Sequence, residues 1–130
     1  MKKILMAIIA VFVLWQTLDF LIHGIILRSS YESTPQLWRP MAEMKMGLLM
    51  VVSMLSAVSF VWIYSKLISP KNIWIGLEYG LVLGVAFGIG MGFGTYATIP
   101  LPYHMALTWF LGTVLEMAVA GYLVALIVKE

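Results

Sequence analysis

Six polar side chains interrupt stretches that are otherwise apolar: Gln16, Asp19 and His23 early in the chain, Glu78 in its middle, and His104 and Glu116 near its end. Carboxyls and imidazoles accept and release protons, and in hydrocarbon they are costly enough to be functional candidates by default. On a helix, Gln16, Asp19 and His23 stand at i, i+3 and i+7 and share one face. His104, Thr108, Gly112, Glu116 and Ala120 recur every four residues as a stripe of small and polar side chains. At ~1.5 Å rise per residue, Gln16 and Glu116 fall at one depth near a bilayer midplane, and His23 and His104 both fall near one end. Glu78 falls roughly 8 Å in from the opposite end by the same rise. His104 or His23, Asp19, Glu116 and Glu78 thus form a ladder across the bilayer, the layout of a proton or cation relay.

The same residues also have a structural use. Asp19 would pair with His23 one turn away, and Glu116 would donate as a neutral acid to Gln16. Polar pairs of this kind fix which helices touch and contribute about 0.6 to 2 kcal/mol each, and packing is their commoner use. Glu78 projects about 160° from Gly76 on a helical wheel, far from the small-residue face of its own helix.

Two cofactors fit the residue types. His23 and His104 are the only histidines and share a depth, so together they could ligate a haem b, with Arg28, Arg39 and Lys45 as the only basic partners for its propionates. Met41 and Met44 at the outer end, with the Met46, Met50 and Met54 stripe, offer thioethers suited to Cu(I). Methionine is also a flexible gap-filler, which suits a helix facing many glycines. The reading adopted is no resident cofactor and no metal.

The chain has no cysteine, which excludes disulfide, thiolate-metal and thiol chemistry. No nucleophile elbow, H-E-x-x-H pair or phosphate loop is present, and Thr17, Ser53, Ser56 and Ser59 have no base at helical spacing. The chain is read as a non-enzyme. A net charge of +2, with basic residues scattered along the chain, offers no footprint for nucleic acid.

The elements that must position these groups are membrane helices, since a chain of 130 residues that is 62% hydrophobic and 11% charged cannot clothe a soluble globule. Between residues 73 and 97, Gly76, Gly80, Gly84, Gly88 and Gly92 recur every fourth position, with Gly90 and Gly94 added. In water each glycine would cost a helix about 0.5 to 1 kcal/mol relative to alanine, whereas in lipid small residues let backbones approach and gain dispersion. Residues 4–26 are too long an apolar run for a secretory signal and span the ~30 Å hydrocarbon core. The sequence therefore predicts an all-α integral membrane protein, a single bundle of four transmembrane helices at about 4–27, 40–68, 73–97 and 103–128 with a glycine-rich third helix. Asn72 is placed to cap the third, Thr34 to cap a short turn in the first loop, and Pro100 and Pro102 separate the third helix from the fourth.

Lys2, Lys3, Lys66, Lys71 and Lys129 lie at one side against Arg28, Arg39 and Lys45 at the other, which places both termini in the cytoplasm of a bacterial inner membrane. The leading expectation is a small non-catalytic membrane subunit that associates through close helix packing with itself or with a larger complex. The alternatives are a proton or cation relay through Asp19, His23 and Glu116, and a haem b or copper-binding subunit.

Overall fold

The computed structural model describes all 130 residues, and every regular element in it is helical. Four helices are long and apolar enough to cross a membrane: α1 (Lys2–Ile26), α3 (Met46–Leu67), α4 (Ile73–Thr98) and α5 (Tyr103–Ile127). At ~1.5 Å per residue their 22 to 26 residues exceed the ~30 Å of hydrocarbon, which marks the chain as an integral membrane protein. A short helix, α2 (Arg28–Glu32), follows α1 at the end of the bundle remote from both chain ends, its outer end in that sense alone.

The expected start of the second span at Pro40 is corrected to Met46. Pro40 is extended, Met41–Glu43 makes a single 3₁₀ turn, and Met44 is extended again, so no helical hydrogen-bond ladder forms before Lys45. Asn72 caps α4, its Oδ1 accepting the Ile75 N–H at 2.9 Å. Thr34 does not cap the turn that follows it. Its hydroxyl donates to the Ser30 carbonyl at 2.8 Å and accepts the Trp38 indole N–H at 2.9 Å, so it ties the loop back onto α2. At the opposite end, Glu130 accepts from the Ser69 hydroxyl at 3.0 Å and the Lys71 N–H at 3.2 Å, joining the last residue to the α3–α4 turn.

Helices α4 and α5 touch backbone to backbone. Gly76, Gly80, Gly84, Gly88 and Gly92 are all buried against α5. A Cβ built on Gly84 would stand 2.8 Å from the Val114 Cα, and one on Gly80 would collide with the Met117 carbonyl. Gly121 answers from α5, lying against Gly76 and Gly80. Gly90 faces open space, so the glycine face is the fourfold repeat alone. The methionines of α3 do not fill against these glycines as expected. Met46, Met50 and Met54 point outward from the bundle, because the backbone of α5 already occupies the glycine face.

Helix α1 packs on both α3 and α5, so the helices run α3, α1, α5, α4 in space, with the Tyr79 hydroxyl on α4 reaching the Phe60 carbonyl of α3 at 2.6 Å. Apolar packing is split between two levels. The larger cluster, which includes Ala7, Val11, Trp15, Val61, Tyr64 and Val124, fills the half that holds both chain ends. The smaller, of Ile22, Leu27, Leu101, Met105 and Ala106 with Tyr31, Trp38 and Trp109 against it, fills the outer half. Asp19 and Glu116 fall in the interval between them.

Candidate proton-exchange site

The stripe on α5 faces α1. Ile22 packs beside Gly112, the Trp15 indole N–H donates to the Glu116 carbonyl at 3.1 Å, and Ala120 is fully buried. With the helices in this register the Asp19 and Glu116 carboxyls come close enough to interact. Oε1 of Glu116 is sealed from solvent and faces no N–H or hydroxyl donor. A carboxylate only accepts, so two touching carboxyls satisfy each other when one holds a proton and donates it. Two ionised groups there would repel, and Glu116 Oε1 has no donor to offset the repulsion.

Gln16 does not pair with Glu116. Its amide donates to the Ser53 hydroxyl of α3 at 2.8 Å, because position 16 lies on the side of α1 turned to α3 while position 19 has rotated towards α5. The expected Asp19–His23 pair is present as a loose contact, with His23 Nε2 at 3.8 Å from Asp19 Oδ1. Between these residues α1 widens into a π-helical segment, Phe20–Ile26, closed by the bond from Leu27 N–H to the Ile22 carbonyl at 2.9 Å. Such widened turns are frequent at functional sites, and this one contains His23.

Beyond His23 the chain of polar contacts runs outward. His23 Nδ1 meets the Tyr31 hydroxyl at 2.6 Å, and Trp109 donates its indole N–H to the same oxygen at 2.9 Å. Tyr31 is half-buried beneath Trp38, whose ring lies 5.2 Å from it. Burial pushes the Tyr31 hydroxyl up to about 12; the Trp109 hydrogen bond opposes that rise and the Asp19 charge adds to it. The phenol therefore keeps its proton at neutral pH.

Two groups of the expected ladder lie outside this chain. Glu78 is exposed on a face of α4 turned away from the buried glycines, and the larger apolar cluster fills the half between Glu116 and the chain ends. The ladder is thus corrected to an outer half only. His104 is exposed and meets the Ser30 hydroxyl at 2.7 Å, so the two histidines engage consecutive residues of α2.

That arrangement does not fit a haem held by His23 and His104 as they stand, since an α2 hydroxyl occupies Nε2 of His104 and another holds Nδ1 of His23. Met41 and Met44 are exposed on the outer loop, and no three His, Asp or Glu side chains group closely enough to hold a metal ion.

By residue type Tyr31 and Trp38 suit a membrane interface, and the spacing of polar residues marks none of Trp15, Ser30 and Trp109 for the site. The signal for Gly121 was available: it precedes Ala125 by four residues, a small-residue pair matching the glycine repeat. Nothing in the linear pattern signals that Tyr31 reaches His23. No family model, curated protein or solved structure matches the chain.

Proposed function

We propose that the chain is a small proton-exchanging membrane protein in which Asp19 and Glu116 bind a proton near the midplane, with His23 and Tyr31 as the route to the outer face. The observation that carries this reading is the sealed, unpartnered Oε1 of Glu116 on α5 with the Asp19 carboxyl of α1 close by, at the level left free by both apolar clusters. The groups leading from the pair are of the types that pass protons, and they reach a half-buried tyrosine at the bundle end. Because the other half is packed with apolar side chains, exchange takes place with the outer side, and onward passage requires a change in helix packing or a neighbouring subunit.

Infrared spectroscopy of the protein in lipid tests this directly. The wild type should show the carbonyl stretch of a protonated carboxylic acid that shifts in D2O, and Glu116→Gln should lose it while the helical amide bands stay unchanged. Glu78→Gln, remote from the pair, should retain it. Persistence of the same band in both Asp19→Asn and Glu116→Gln would remove the basis of the reading.

A second reading, a non-catalytic subunit that docks onto itself or another membrane protein, is favoured by the outer half of α3. From Met46 to Ser56 only Ser53 is withdrawn from the surface, so this stretch has almost no partner within the chain. Purification in mild detergent would show whether it travels alone. The lysines at the end holding both chain ends support an inner-membrane location with those ends cytoplasmic, which accessibility labelling of single cysteines introduced at Ser33 and Ser69 would check.

A further inference from the structure

We propose that Trp109 is a positioning residue: by giving its indole N–H to the Tyr31 oxygen, it turns the Tyr31 proton towards Nδ1 of His23 and holds His23 in the tautomer that presents Nε2–H to Asp19. Its purpose rests on the proton-exchange reading, while the tautomer itself follows from the hydrogen-bond geometry.

An indole nitrogen only donates, so the 2.9 Å contact from Trp109 makes the Tyr31 oxygen an acceptor. A phenol has one proton to give. The other partner of this oxygen is His23 Nδ1 at 2.6 Å. If Nδ1 carried the imidazole proton, the oxygen would receive two N–H groups and the phenol proton would be left without an acceptor in a half-buried site. With the proton on Nε2, the Tyr31 hydroxyl and Nδ1 are both matched: Trp109 donates to Tyr31 and Tyr31 donates to Nδ1, while Nε2–H faces Asp19 Oδ1 across 3.8 Å, beyond hydrogen-bonding distance.

The surroundings hold this order in place. The Trp38 ring lies 5.8 Å from Trp109 and 5.2 Å from Tyr31, and its own N–H is spent on Thr34, so it does not compete for the Tyr31 oxygen. The Trp109 ring stands edge-on to His23 at 6.4 Å.

The tautomer decides which way a proton moves. When the Tyr31 hydroxyl takes a proton from water at the bundle end as it passes its own to Nδ1, the ring becomes cationic; Nε2–H then gives its proton to an ionised Asp19 oxygen, and the ring is left neutral with the new proton on Nδ1.

The test is nitrogen NMR of the full chain labelled with ¹⁵N-histidine, in lipid at alkaline pH, with His104→Gln used to assign the signals of the two histidines. The wild type should show His23 with a bare Nδ1 and a protonated Nε2. Trp109→Phe should convert a substantial share of His23 to the Nδ1–H form, and Tyr31→Phe should do the same by removing the donor itself. A wild-type His23 protonated on Nδ1 would overturn the proposal, as would an unaltered tautomer in both folded variants. Should Trp109→Phe fail to fold, the wild-type tautomer and Tyr31→Phe decide. These outcomes are independent of the infrared result on Glu116, so the tautomer can stand where the proton-exchange reading falls, and the reverse.

Discussion

The indole N–H of Trp15 donates across the helix interface to the backbone carbonyl of Glu116 at 3.1 Å. This bond sets the sliding position of α1 against α5, and Asp19, one turn further along α1, then arrives opposite the Glu116 side chain. Trp15 is buried and its ring lies edge-on to Phe60 at 5.4 Å, so its place is also held from α3.

Trp15→Phe should therefore cost about 1 kcal/mol for the hydrogen bond, with a further loss for the smaller ring. Its sharper effect is on register. Since the chain has no cysteine, Asp19→Cys with Glu116→Cys can be oxidised without side reactions, and the resulting cross-link should form in the parent background and fall when Trp15→Phe is added. Equal cross-linking in both backgrounds would show that the register is held by other contacts.

The glycine face predicts a sharp contrast between positions. Gly80→Ala and Gly121→Ala each push a methyl group into backbone of the facing helix, which has no side-chain rotamer with which to yield. Both should separate α4 from α5 and lower the melting temperature in detergent. Gly90→Ala meets nothing within 4 Å and sits at helical φ and ψ, so it should be neutral or stabilising by up to about 1 kcal/mol. Similar melting temperatures for all three would contradict the packing.

Ser53→Ala removes the only polar link from α1 to the outer half of α3, the 2.8 Å bond from Gln16. Interhelical hydrogen bonds in lipid average about 0.6 kcal/mol, so the loss should be small, and a double-mutant cycle with Gln16→Leu should return a coupling of that order. A coupling of zero would mean that α3 is held by its buried half alone.

Tyr31 carries a pH dependence at the alkaline end. Its hydroxyl is pushed from the ordinary 10.0 up to about 12, so the folded state holds this proton more tightly than the unfolded state does. The associated stability is fully present below pH 10 and is lost as pH rises through about 12. Unfolding across that range should show a drop on the order of 1 to 2 kcal/mol that Tyr31→Phe abolishes. An identical alkaline limb in the variant would place the titration elsewhere.

By itself the sequence determined the number and nature of the spans, because the length of an apolar run and the spacing of glycines are local properties that a helix converts directly into reach and into a face. The fourfold glycine repeat, the Asn72 cap and the break at Pro100 and Pro102 were all legible in this way. Periodicity also gave the depth of each acid and histidine. It did not give their partners, because partnership depends on how helices are rotated and slid against one another, and that is set by contacts far apart in the chain. Gln16 and Asp19 stand three residues apart, yet one turns to Ser53 and the other to Glu116, since α1 sits between α3 and α5. Only the tertiary structure brought Tyr31 and Trp109 onto His23: the outer loop folds back through Thr34 and Trp38, and a loop's return path leaves no mark in hydrophobic spacing.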